Sequence, residues 1–472
     1  MNLPNDIASC HKLILAQQAM IEKLMEQMIK VETLQAKVKE LEGRLNQNSS
    51  NSHRPPSSDG LKKPPVKPAF PRKSGKKQGG QSGHKGRTLE LITNPDHIIP
   101  HVPSVCSCGH DLSQESRTTV EKRQVFDLPE PKLEVTEHQV QSCTCSNCGK
   151  FNIGSFPTQI PARVQYGSGV RTLTVLLYNG MNLPYGKIRQ LFTDLFGYEL
   201  NESTQINAQK RCFTKLEPVE RQTRQALLAS SVNHYDETGL RVAGKLHWLH
   251  NCSNERLTYL FVHPKRGSDA LDSEYSDITR YTGCAVHDRW RSYFLYKNCQ
   301  HSDCGAHLLR DLQSLIDKGS NWALLMHNLL MEAYQKSNYG KGICSNLKTV
   351  QKKYDQICRK GQKEEPPPIQ RFPGKRPWRT KGRNLLEHFV DFKQAVLAFA
   401  EYEHIPFTNN LAERDVRPAK VKQKVSGSFR TFTGAQHYAR IQAFISTARK
   451  QQLNVFNELL AIFNGSPISF SF

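Results

Sequence analysis

Acidic residues are scarce in this chain: 43 Asp and Glu stand against 65 Lys and Arg in 472 residues, for a net charge of +22. That imbalance disfavours a cationic partner and favours a polyanion, of which nucleic acid is the usual one. Long apolar runs are also missing. LTVLLY is far too short to cross a bilayer. MNLPNDIASCHK has no basic start followed by an apolar run, so neither a membrane partner nor export is expected. An even set of cysteines is absent too. The 13 present read as reduced thiols and metal ligands in a cytosol, not as a disulfide framework. An apolar content of 37% predicts exposed or elongated segments beside at least one core.

The chain changes character along its length. Ile21, Leu24, Met28 and Val31, then Leu34, Val38, Leu41 and Leu45, step by three and four along a polar helix over residues 1–47. Such a seam predicts a coiled coil and homo-oligomers, with a stammer between Val31 and Leu34. Residues 48–95 form a linker with no acid between Leu61 and Leu89. Lys62, Lys63, Lys76, Lys77 and Lys85 lie there among Pro and Gly, a cationic tether suited to DNA phosphates. Residues 96–155 hold five cysteines amid strand-like sequence such as LEVTEHQVQSC. Residues 160–226 read as helices, with spacing that suits either helix-turn-helix DNA reading or plain packing. ASSVNHYDETGLRV, KLHWLHN and RLTYLFVH then read as an antiparallel meander, and CAVHD as a short buried fourth strand. CGAHLLRDLQSLI starts a helix, and residues 318–395 read as a helical insertion. An amphipathic helix on Tyr438, Ile441, Phe444, Ile445 and Ala448 falls in 436–472.

Three acids stand out: Asp236 in HYDETG, Asp288 in HDRWRSY and Glu413 in NNLAERDVRP. Asp236 falls in the first strand of the meander and Asp288 closes the fourth. Glu413 follows Asn409-Asn410, a helix-cap signal, in a segment expected to end near Pro418. Two or three converging carboxylates in a basic cleft can hold two Mg²⁺ (or Mn²⁺) ions against a phosphodiester. Each acid also has a plain structural use, as a turn acid, a partner for Arg289 or Arg291, or an i,i+4 partner for Arg417.

Taken together, NQNSSNSHRPPSSDG, GGQSGHKG, NLPYGKIRQLFTDLFG, HYDETG, HDRWRSY, CGAHLLRDL and TNNLAERDVRP resemble the transposases of the insertion sequence sixty-six family. The resemblance covers nearly the whole length. It implies a multidomain α/β protein with a ribonuclease-H-like catalytic core over 227–435. It implies Asp236, Asp288 and Glu413 as the triad, Mg²⁺-dependent cleavage at transposon ends, and strand transfer of the 3′ hydroxyl into target DNA. Asp415 is the rival third ligand, and Arg414 and Arg417 are candidates for phosphate contact. A bacterial cytoplasmic, nucleoid-associated protein that also works with accessory proteins of the same element is implied. A DNA-binding regulator without activity and a metal-dependent nuclease that does not join ends are the alternatives.

Two further clusters carry chemistry. Cys145-Ser-Asn-Cys148-Gly and Cys106-Ser-Cys108-Gly are two knuckle turns that predict a structural Zn²⁺ in a zinc-ribbon-like domain. The family it resembles usually spaces the first pair by two residues where this chain has one, and Cys143 or His110 could substitute. Cys304-Gly-Ala-His307 resembles the family's Cys-x-Ala-His, with Gly305 where a tryptophan is common. Cys304, His307 and Arg310 are expected to support the active-site region, and His287, beside Asp288, reads mainly as structural rather than as a substrate contact.

Overall fold

The computed structural model describes residues 6–45, 89–370, 374 and 376–472. Lys62, Lys63, Lys76, Lys77 and Lys85 lie outside the described residues. Among the described residues no helix is long and apolar enough to cross a membrane. The chain divides into two compact units, Met1–Phe70 with Tyr166–Ile188 and Asn201–Phe472, and Pro71–Gln165 with Arg189–Leu200.

Helix α1, Ile7–Leu45, opens the chain. Ile21, Leu24, Met28, Val31, Leu34 and Val38 are all exposed along it. The cysteine-bearing unit contains one small hairpin, β1 (Ser142–Thr144) paired antiparallel with β2 (Phe151–Ile153). The strand expected over LEVTEHQVQSC forms only at its end. Val135 and its neighbours are exposed on both faces and have no ladder partner, and alternation without a partner does not make a strand.

A helical segment follows: α2 (Ser168–Val175), α3 (Tyr185–Phe196), α4 (Glu202–Lys215) and α5 (Glu217–Leu228). α2 loosens into one π turn over Leu176–Gly180. There the buried Asn179 amide donates to Val175 O (3.0 Å) and Gln209 Oε1 (2.6 Å). A side chain competing for the helix's own carbonyls widens the turn in this way.

The central sheet has five strands in the order β5-β4-β3-β6-β7. They are β3 (Val232–Val242), β4 (Lys245–Ser253), β5 (Thr258–His263), β6 (Cys284–His287) and β7 (Gln300–Asp303). β3, β4 and β5 form the antiparallel meander, and β6 and β7 add in parallel beside β3. Ala243 (φ 47°) and Gly244 (φ 76°) make the tight turn between β3 and β4. β6 is buried throughout, as a parallel strand covered on both faces should be. β7 has the sequence QHSD, which carries no apolar pattern to announce it. A short helix, α6 (Ser268–Leu271), lies in the connection to β6.

From β7 the chain runs through α7 (Gly305–Ile316), α8 (Asn321–Lys336), α9 (Leu347–Glu364), α10 (Lys381–Asp391) and α11 (Lys393–Glu401). These helices build a core of their own around Leu308, Leu312, Trp322, Tyr354 and Phe389. The helical layer is therefore longer than 318–395: α7 shares its core at one end and α11 extends it to Glu401. α12 (Asn410–Ser426) then lies across β3 and β4. It does not end at Pro418. Ala412, Val416, Ala419 and Lys422 are buried on both sides of the proline, and that packing outweighs the lost backbone hydrogen bond. α13 (Phe432–Lys450) covers β5, and α14 (Val455–Asn464) closes at Gly465 in the left-handed conformation.

Candidate active site

Asp236 lies in the middle of β3, opposite Asn251 of β4. On its other side, the last β3–β6 pair is His234 with Val286. The ladder stops there: Asp236 lies two residues past that pair on β3, and Asp288 two residues past it, directly after β6. The Asp236 carboxylate accepts from the Glu237 backbone N–H (2.9 Å), and that of Asp288 accepts from Trp290 N–H (3.0 Å). The second bond is an Asx turn, and it ends the strand.

Glu413 sits in the first turn of α12. What holds that turn against the sheet is Asn409. Its backbone N–H donates to Cys304 Sγ (3.2 Å), and its Nδ2 donates to Tyr235 O (2.7 Å), one residue before Asp236. With Nδ2 so committed, Oδ1 accepts from His234 Nδ1 (2.9 Å). Burial lowers the His234 imidazole to about 4, so it stays neutral and keeps one N–H to give. Asn409 thus occupies the cap position without capping the helix by its side chain. The sequence signal at Asn409-Asn410 marked the right boundary, but the amide bonds to the strand.

Burial raises the Asp236 carboxyl well above the usual range, and the charges of Glu237, Asp288 and Glu413 raise it further. Asp288 and Glu413 thus act on Asp236 through their charge, although the ligand oxygens of the three acids do not lie within 4.8 Å of one another. Glu237, which sequence reasoning passed over, is handled differently. Arg266 Nε donates to it (2.7 Å) and so does the Tyr293 hydroxyl (2.5 Å). Arg266 is itself flanked by the rings of Trp248 and Trp290. Burial and Asp288 still raise the Glu237 carboxyl. The period-two alternation of a strand turns Glu237 to the other face from Asp236, so the adjacent acid is structural.

Helix α7 lies against Glu413. His307 Nδ1 is 3.6 Å and an Arg310 guanidinium nitrogen 3.9 Å from Glu413 Oε1, which is buried and accepts no hydrogen bond. Potential ligand atoms of Cys304, His307 and Glu413 lie within 4.8 Å of one another, the one such group of three among the described residues. Burial pushes the Cys304 thiol up to about 11, so it is a neutral acceptor for Asn409. Gly305 is required here: a Cβ on it would stand 2.3 Å from the Phe407 ring, and its N–H donates to Phe407 O (2.8 Å). This chain fills with Phe407 the space a larger residue at 305 would need.

Arg414 and Arg417 are exposed on α12. Asp415, the rival acid, is buried and turned elsewhere, accepting from Lys450 Nζ (2.7 Å) and Ser446 Oγ (3.0 Å). His287 is fully buried, bonded to His301 Nδ1 (3.0 Å) and to the Asp288 carbonyl. It therefore supports the strand end from within.

In the other unit both cysteine knuckles form. Gly109 N–H donates to Cys106 O and Gly149 N–H to Cys145 O (2.8 Å each), each glycine at positive φ. Hydrogen bonds from the Cys108 side lower the Cys106 thiol, and those from Cys148 and Asn147 lower Cys145. These are donors of the kind Zn²⁺ takes. Among the described residues the two pairs do not gather into one group of ligand atoms. Cys143 faces outward on β1, and His110 pairs with Glu115 at 3.4 Å.

Comparison with known families accounts for most of the chain. The model described as Transposase IS66 family matches residues 163–437, and the zinc-finger binding domain of transposase IS66 matches 103–149. A family of unknown function matches 12–90. No curated protein matches the chain.

Proposed function

Because the chain belongs to the IS66 family of transposases, we propose that it cuts DNA at transposon ends and joins the freed 3′ hydroxyl to target DNA, using Asp236, Asp288 and Glu413. The observation that carries this reading is geometric: Asp236 lies on β3, Asp288 directly follows the neighbouring β6, and Glu413 sits in the first turn of α12, which packs on β3. Folding three acids together is unfavourable unless a cation or a proton is to occupy the space between them. The sheet supports it as well: the antiparallel meander carries Asp236, and the parallel β6 beside it leads straight into Asp288.

The donor set fits Mg²⁺ or Mn²⁺. It offers carboxylate oxygens, one of them the unbonded Glu413 Oε1, and Mg²⁺ prefers a few carboxylates with water and phosphate oxygens. Two ions bound there would polarise the phosphodiester and lower the pKa of an attacking water or hydroxyl. The remaining work falls to the chain's own groups. β3 carries Asp236, β6 leads into Asp288, and Asn409 ties the turn that carries Glu413 to β3. Arg310 and His307 steady the Glu413 carboxylate. Arg414 and Arg417, exposed one and four residues on, are free to contact DNA phosphates. Cys106, Cys108, Cys145 and Cys148 would hold a structural Zn²⁺. The exposed seam of α1 would assemble copies of the chain. Its setting would be the bacterial cytoplasm, at the nucleoid, with accessory proteins of the element.

The test is incubation with DNA carrying the element's ends and Mg²⁺. Nicking and joining are expected, and each is lost in EDTA and in Asp236→Ala, Asp288→Ala and Glu413→Ala proteins that still fold. Cutting without joining would make the protein a nuclease, and binding alone would make it a regulator.

A further inference from the structure

Helix α9 has two faces of opposite character. Val350, Tyr354, Ile357, Cys358 and Gly361 are buried on one of them. Gly361 is where α9 comes closest to its neighbours, since a Cβ there would meet Leu386 at 2.8 Å and Trp322 at 3.1 Å. Lys348, Lys352, Gln356, Arg359 and Lys363 are all exposed. At about 100° per residue these five fall within an arc of about 80°, centred opposite the buried face. The stripe runs for about 22 Å at the helical rise.

The nearby acids are already engaged. Glu364 caps the start of α8 through Ser320, Asn321 N–H and Trp322 N–H. Asp355 pairs with Lys393, and Glu332 pairs with Lys336 and Lys353. Lys348, Lys352, Arg359 and Lys363 make no ion pair among the described residues. Lys348 with Lys352, and Arg359 with Lys363, are instead like charges at i,i+4, a spacing that weakens a helix. A merely solvated face would place Glu among them. This one holds four cations and a neutral amide in register and repels itself.

We propose that this face of α9 is a docking surface for the phosphate backbone of duplex DNA. The charge selects a polyanion. A straight, rigid row about 22 Å long matches a run of backbone shorter than one turn of the duplex, about 34 Å. The stripe has no aromatic or amide fork for base edges beyond Gln356, so it positions DNA and does not read its sequence. The proposal rests on DNA being the substrate, but it concerns a surface separate from the three acids.

The experiment measures affinity of the full-length protein for a random-sequence duplex across a salt series, in Ca²⁺ so that no cutting intervenes. A protein with Lys348→Gln, Lys352→Gln, Arg359→Gln and Lys363→Gln should bind roughly tenfold to a hundredfold more weakly at moderate salt. Its slope of log affinity against log salt should be shallower by about 3 to 4. A protein with Lys348→Arg, Lys352→Arg and Lys363→Arg should keep the wild-type slope. Thermal midpoints should be equal or slightly higher for the Gln variant, which removes a misfolding explanation. An unchanged slope in the Gln variant overturns the proposal and points the stripe at an acidic protein. That result leaves the reading of the three acids standing, because metal-dependent cutting by the wild-type protein tests them separately. No binding by the wild-type protein would overturn both.

Discussion

Asp236 and Asp288 each lie two residues beyond the His234–Val286 pair, where the parallel ladder of β3 and β6 stops. Their proximity disfavours the metal-free fold, because burial and the neighbouring acids both oppose ionisation of Asp236. Asp236→Asn should therefore stabilise the metal-free protein by roughly 1 kcal/mol or more. The same variant should lose most of the rise in thermal midpoint that Mg²⁺ gives the wild type. Melting curves with and without Mg²⁺ check both parts. Wild-type behaviour in the variant would mean that Asp236 neither repels its neighbours nor holds metal.

Glu413 and Asp415 are two residues apart and should fail in different ways. Glu413→Ala is expected to leave the melting temperature nearly unchanged and to abolish cutting. Asp415→Ala removes the counter-charge of the buried Lys450 ammonium (2.7 Å), leaving it only the carbonyls of Asn254 and Leu257, and should cost about 3 kcal/mol of stability. Activity of the Asp415 variant, assayed well below its melting point, should survive. The opposite pattern would exchange their roles.

Asn409→Ala removes the partners of His234 Nδ1 and the Tyr235 carbonyl inside the protein. Leaving two buried groups unsatisfied should cost about 2–4 kcal/mol. Because the Glu413 turn is then held less firmly, turnover should fall about tenfold to a hundredfold. DNA affinity should not change, and that separates mispositioning from loss of binding. Filter-binding and single-turnover cleavage measure the two.

Lys422 is buried on α12, with Nζ donating to Tyr178 O and Leu183 O at 3.1 Å each. Burial outweighs these acceptors and lowers its amine from 10.5 to about 7. The unfolded chain keeps the proton up to its higher pKa, so between about pH 7 and 10.5 unfolding takes up a proton. Wild-type stability should therefore rise with pH across that window relative to Lys422→Met, with a constant difference below it. Urea midpoints of both proteins from pH 6 to 10 provide the comparison. Parallel curves would show that the ammonium is retained.

Purified wild-type protein should carry about one zinc per chain, and a Cys145→Ser, Cys148→Ser protein close to none. Metal analysis under reducing conditions decides it. A wild-type value near zero would leave the knuckles as hydrogen-bonded turns only.

Much of this was legible because it depends on local pattern. The meander announced itself by alternation and by Ala243-Gly244, β6 by four consecutive buried residues, and α13 by its apolar spacing. HYDETG, HDRWRSY and TNNLAERDVRP marked the acids. What stayed hidden depends on partners distant in sequence. β7 is polar, and it is a strand only because β6 offers it a ladder. LEVTEHQVQSC has the strand pattern but lacks that partner. Asn409 looked like a helix cap because the sequence cannot show that Tyr235 and His234 lie across from it. Glu237 drew no notice, and only Arg266 and Tyr293 reveal its use.

The bond from Asn409 N–H to Cys304 Sγ joins residues 105 apart, and Gly305 N–H meets Phe407 O beside it. The chain leaves the sheet and returns to it through one narrow doorway, latched on both sides. The helices beyond that doorway are fastened to the sheet as well, His388 of α10 bonding to Asp303 at the end of β7 (2.6 Å) and Ala398 of α11 packing with Val286 of β6. A pull on α10 or α11 is therefore carried to the strand ends beside the acids as well as to the latch at Asn409.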